Sequence, residues 1–119
     1  MNEPAAAEPG SARSDVFDAE ALTELEALFG RPRLMELLEV LDREIVLRLD
    51  PPADESARLA RDAHVLVSSS GALSFGDLSS ACSALEQACL QGGDIAVPLG
   101  TAVNAARHAR DAIATLRGD

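Results

Sequence analysis

The side chains able to do chemistry in this chain are few, two histidines and two cysteines among them. His64 lies in the run Arg61-Asp62-Ala63-His64-Val65-Leu66-Val67-Ser68-Ser69-Ser70-Gly71-Ala72-Leu73. An imidazole with its ordinary pKa of about 6.5 presents a neutral nitrogen nucleophile near pH 7. The run reads as a helix. At about 100° per residue, Leu59, Ala63, Leu66, Val67 and Ser70 share one arc, and His64 stands about 100° from its centre. The imidazole is therefore expected at the border between core and solvent. Arg61 is one turn earlier on the same side, Ser68 one turn later, and Gly71 nearly two turns on. These mostly small neighbours leave the outer nitrogen approachable by another protein.

The other reactive residues carry less. His108 stands among Arg107, Arg110 and Asp111, away from the apolar stripe of its own segment, and is expected in solvent. Cys82 and Cys89 are seven residues apart, about 10 Å along a helix, beyond the roughly 7 Å that a disulfide spans. They are expected to be small buried hydrophobes. The predicted faces of His64, His108 and the cysteines diverge, so no metal site is expected. Gly92-Gly93 reads as a turn. With no glycine-rich phosphate loop, the chain should neither bind ATP nor phosphorylate itself.

The elements that must position His64 follow from helical periodicity. A first helix runs from Asp15 or Asp18 to Phe29, with Leu22, Leu25, Leu28 and Phe29 at helical spacing and Gly30 as its stop. Pro32 suits the first turn of a second helix. There Leu34, Leu37, Leu38, Leu41, Ile45 and Leu49 form one stripe, while Val40 and Leu47 lie opposite. Either the first helix covers that second face or the face is a docking surface. Pro51-Pro52 end the helix. Asp54 is expected to cap a third helix running to about Ser70, with Gly71 as its stop. Ser74 with Asp77 resembles a capping box for a fourth helix, which carries Leu78, Cys82, Leu85 and Cys89 and ends at Gly92-Gly93. A fifth helix carries Ile95, Leu99, Val103, Ala106, Ile113 and Leu116, with Pro98 in its first turn. No strand pattern or repeat is present. The expected fold is all-α, an antiparallel four-helix bundle with an additional N-terminal helix packed across it.

Residues 1–13 show no periodic pattern and are expected to form a flexible tail, leaving 14–119 as the one domain that 119 residues support. A 47% hydrophobic content with three Phe, no Trp and no Tyr implies an aliphatic core, which suits packed helices. The net charge of −10 argues against nucleic acid and anionic membrane surfaces as partners. No apolar run approaches the roughly 20 residues of a membrane span, and Met1-Asn2-Glu3-Pro4 does not open a secretory signal. A cytoplasmic monomer is the expectation.

The region resembles histidine-containing phosphotransfer (HPt) domains. Their pattern is His, Leu at +2, Lys at +3, Gly at +4 and Ser or Ala at +5. A Gly-x-Leu-Gly turn follows, then a helix with Leu-x-x-x-Cys-x-x-Leu-Glu. This chain has Ala63-His64, Leu66, Ser69, Gly71-Ala72-Leu73, Leu78, Cys82 and Leu85-Glu86, and its helix order matches from about Asp15 to Leu116. The family's Lys is here Val67, its Gly at +4 is Ser68, and its second turn Gly is Ser74. The resemblance implies a phosphocarrier rather than an autonomous enzyme. His64 would take a phosphoryl group from one receiver-domain aspartate and pass it to another in a multistep two-component relay.

Arg61 and Ser68 are then the phosphoryl neighbours, Arg61 standing in part for the absent Lys and Ser68 offering its hydroxyl. Docking is expected over Arg61, Val65, Val67, Ser68 and Gly71, extended by Val40, Glu44 and Leu47. The partners implied are a response-regulator receiver domain, which brings Mg²⁺, and a hybrid histidine kinase. This chain needs no cofactor of its own. A second reading keeps the fold but not the chemistry: a binding module that docks a receiver or kinase domain and regulates it without carrying phosphate. A third is a helical scaffold unrelated to signalling, favoured if His64 is buried.

Overall fold

A computed structural model of the chain describes residues 16–118. The tail expected over residues 1–13 and the alternative helix start at Asp15 lie outside the described residues. Within them the chain is all-α, with no β-strand. The helices are α1 (Ala19–Phe29), α2 (Arg31–Leu49), α3 (Ser56–Ala72), α4 (Gly76–Gln91) and α5 (Ala96–Arg117). α2 packs on α3, α3 on α4, α4 on α5 and α5 on α2, while α1 packs on α2.

Local chemistry sets most of the boundaries. Asp18 caps α1, its side chain accepting from the amides of Glu20 and Ala21. Gly30, at φ +86°, lets α1 end and α2 begin across one residue. Pro32 sits in the first turn of α2, and Asp50, just before Pro51, closes the helix through a bond to the Val46 carbonyl.

Three local expectations are corrected. Asp54 does not cap α3: the N-cap position falls to Glu55, with no side-chain cap bond. Gly71 does not stop α3, which continues to Ala72. The glycine serves close approach instead, since a Cβ there would stand 3.3 Å from the Ser79 hydroxyl of α4. Ser74 is not the cap of α4 either. The N-cap is Phe75, and Ser74 takes φ +68° in the turn. It therefore adopts the left-handed conformation for which glycine is the cheap residue.

The core is aliphatic. Leu34, Leu38, Leu41, Ile45 and Leu49 of α2 are buried at spacings of three or four residues. They meet Leu59, Ala63 and Leu66 of α3, Leu78, Cys82 and Leu85 of α4, and Ala102, Ala109 and Ile113 of α5. Phe75 is fully buried beneath the α3–α4 turn, 5.6 Å from the ring of Phe17. The Asp18 amide also donates to the Ser74 carbonyl at 2.9 Å, tying the start of α1 to that turn.

α1 leaves much of the second face of α2 open. Val40 is 45% exposed and Leu47 70%. Covering by the first helix thus fails for Leu47 and is partial for Val40, because α1 spans only Ala19–Phe29 and the groove it shares with α2 reaches Val40 and Glu44 but not Leu47.

Candidate functional site

α3 and α4 form the wall that carries His64. Small residues let the two helices approach closely, with Ala60, Ala63 and Ser70 buried on α3 and Ala81 and Cys82 on α4. Ser79 of α4 donates to the Val67 carbonyl of α3 at 2.9 Å, beside the tight Gly71–Ser79 contact. This wall fixes the axial register of α3 against α4, so a side chain on one helix meets a defined position on the other.

The His64 side chain is 68% exposed, which removes the condition that favoured an unrelated scaffold. Its Nδ1 stands 2.9 Å from Oε2 of Glu86 on α4. A carboxylate only accepts hydrogen bonds, so the bond requires the proton on Nδ1. In the neutral ring that leaves the Nε2 lone pair free. The Glu86 side chain is only 19% exposed, so the imidazole is held from below while its other nitrogen faces outward.

Glu86 was not singled out by sequence as a site residue, though Leu85-Glu86 belongs to the resemblance. The signal lay in its spacing. It follows Leu78 and Cys82 at four-residue intervals, on the edge of a buried stripe, where a carboxylate needs a donor from the neighbouring helix.

Several expected site residues gather here. His64, Arg61 and Val65 line one shallow depression together with Ala57, Glu86 and Leu90. Ala57, Arg61, Ser68 and Gly71 are all exposed and continue the His64 face of α3 along its axis. Val65 is half-buried. Val67, where the HPt pattern has Lys, is half-buried against the core. Leu90 adds an apolar rim, 65% exposed.

Val40 and Glu44 do not share this depression. They line a separate apolar groove with Leu25, Phe29, Ser69 and Leu73. Ser69 stands about 140° around α3 from His64. Leu47 lies on the open face of α2, in neither hollow. Glu44 also bonds Arg48 at 2.7 Å, and Arg48 reaches Asp62 of α3 at 2.8 Å. The Glu44 hydrogen bond, opposed by desolvation and aided by Asp62, raises the Arg48 pKa further and keeps the guanidinium charged.

The other reactive groups are placed away from this chemistry. Cys82 and Cys89 are buried free thiols, and desolvation pushes Cys82 up to about 12 and Cys89 upward as well. His108 is exposed on α5. Among the described residues no group of His, Cys, Asp and Glu is arranged to hold a metal ion, and no helix is long and apolar enough to cross a membrane.

The family model of the Hpt domain matches residues 19–118, which contain the five helices of the described residues. No curated protein and no solved structure gives a significant match to the chain.

Proposed function

Because the chain belongs to the Hpt domain family, whose members carry out histidine phosphotransfer in two-component phosphorelays, we propose that Nε2 of His64 carries the phosphoryl group between receiver-domain aspartates. The observation that carries this reading is the His64–Glu86 pair, an exposed imidazole with one nitrogen engaged and the other free.

The step balances without a further proton acceptor. Nε2 attacks the phosphorus of an aspartyl phosphate, the N–P bond forms, and the P–O bond to the aspartate carboxyl breaks. The carboxylate leaves with the bonding electron pair. The ring, still protonated on Nδ1, becomes cationic against the Glu86 carboxylate. The reverse sequence delivers the phosphoryl group to a second aspartate. Such transfer depends on positioning and charge neutralisation. Arg61 and Ser68 flank His64 and offer a guanidinium and a hydroxyl to the phosphoryl oxygens. Mg²⁺ belongs to the receiver in this reading, where it neutralises charge on the phosphoryl group.

Receiver domains and a hybrid histidine kinase are the partners in this proposal, and docking spreads from His64 over Arg61, Val65, Val67, Ser68 and Gly71. Val40, Glu44 and Leu47 extend it across α2. The fold reads as a bundle of α2–α5 with α1 packed across it, supported by the cyclic order of helix contacts. A cytoplasmic monomer without nucleic-acid or membrane partners fits the net charge of −10.

One observation favours a second reading. Val67 places a half-buried aliphatic side chain where the HPt pattern has Lys, which suits a docking module that regulates without carrying phosphate. The test is incubation with a phosphorylated receiver domain and Mg²⁺. Acid-labile, base-stable label on wild type and none on His64→Gln is the expected result. Binding without label on wild type would replace the carrier with the regulatory module.

A further inference from the structure

The arginines among the described residues divide into two groups. Arg31, Arg33, Arg43, Arg48, Arg110 and Arg117 each pair with a carboxylate. Arg58, Arg61 and Arg107 have no carboxylate partner among the described residues, and all three are exposed. Arg107 lies on α5, where it bonds only the Asn104 side chain. Arg58 and Arg61 lie on α3, three residues apart, and therefore side by side on the helix surface. Arg61 stands about 60° around the helix from His64 and Arg58 about 120°, both within two turns.

This placement runs against the whole-molecule charge. With twice as many acidic as basic residues (20 against 10), an exposed arginine has ample chance of a carboxylate neighbour. Glu55 precedes Arg58 by one turn and Asp62 follows it by one. Neither engages it, since Asp62 is committed to Arg48. The flank of α3 thus keeps two uncommitted guanidiniums, and Arg61 shares its depression with the apolar side chains of Val65 and Leu90.

We infer that Arg58 and Arg61 form a cationic anchor for a carboxylate-rich protein surface, and that this anchor seats the partner over His64. The inference rests on the carrier reading and adds the chemistry of the partner. A receiver that offers an acceptor aspartate and holds Mg²⁺ presents clustered carboxylates, because Mg²⁺ is held through oxygen ligands. Arginine suits such a surface through its fork of donors, which meets a carboxylate with two hydrogen bonds. Arg58 is offset from His64 by about 9 Å along the helix axis, so it meets carboxylates at the edge of that cluster while Arg61 stands nearer the phosphoryl group. Exposed charges of this kind govern encounter rate and salt dependence more than the lifetime of the complex.

The test measures binding of His64→Gln protein to a panel of receiver domains at low and high NaCl, which needs no phosphoryl transfer. Arg58→Gln/Arg61→Gln in that background is expected to weaken binding about tenfold at low salt, mainly through the association rate, and to flatten the salt dependence. Arg107→Gln should leave both unchanged. Thermal melts establish that each variant is folded. Equal affinity and equal salt slope in the double variant would overturn the inference alone. Absence of label on wild-type His64, with salt-sensitive binding intact, would overturn the carrier reading and keep the anchor. Failure of every receiver to bind would overturn both.

Discussion

The bond between Nδ1 of His64 and Glu86 divides the labour of one imidazole. One nitrogen is fixed on a half-buried carboxylate and the other faces solvent. Glu86 is in these terms a positioning residue. Glu86→Ala should shift neutral His64 toward the Nε2-protonated tautomer, visible in the ¹⁵N shifts of the ring. Transfer should slow by about ten- to a hundredfold, the worth of a hydrogen bond to a charged group. Glu86→Gln keeps an acceptor oxygen and should retain more of both. An unchanged tautomer in Glu86→Ala would show that the carboxylate only supports packing. Substitution of His64 by Gln should remove the label altogether while leaving the fold intact, because the side chain is largely exposed.

Among the elements, the joints of α3 decide where His64 points. Arg48 joins α2 to α3 through Asp62, which is 9% exposed. Arg48→Ala leaves that carboxylate buried without its partner, and a loss of about 2 kcal/mol is expected in denaturant unfolding. A double variant with Asp62→Ala should cost less than the sum of the two single changes. The turn between α3 and α4 stores a small strain, since Ser74 holds φ +68°. Ser74→Gly relieves it and should raise stability by about 0.5 kcal/mol, the steric relief being partly offset by the entropy of a glycine in the unfolded chain. A higher denaturation midpoint at unchanged m-value would register it.

At the scale of the whole molecule, the buried thiols set an alkaline limit. Burial pushes Cys82 up to about 12 from the ordinary 9.0. Between those values the unfolded chain has lost the thiol proton and the folded chain keeps it. Stability therefore falls as pH rises through that window, by at most about 1.4 kcal/mol per unit, and is unaffected below it. The chain has no Tyr and no Lys to titrate alongside. The slope of stability against pH from 9 to 11 should flatten in Cys82→Ala, even though the smaller side chain lowers stability at every pH. A slope unchanged by that substitution would remove Cys82 as its source. The same burial keeps Cys82 unreactive toward thiol reagents until the chain unfolds.

Periodicity and helix-ending residues determined the helices, the inward stripe of α2 and the outward position of His64. These follow from local backbone chemistry and from a repeat that any helix must obey, whatever packs against it. The HPt-like run around His64 was equally legible, because a motif is a local string. The pairing of His64 with Glu86 was not, since it joins residues 22 apart and depends on the register of two helices. Gly71 and Ser74 were misread for a related reason. A glycine can end a helix or admit a neighbour, and a serine before a helix can cap it or turn the chain. Only the position of Ser79 and the path into the buried Phe75 choose between those uses. Tertiary packing likewise decided that Leu47 stays open and that Arg58 and Arg61 keep their charges unpaired. Whether a side chain finds a partner depends on what the fold brings within reach.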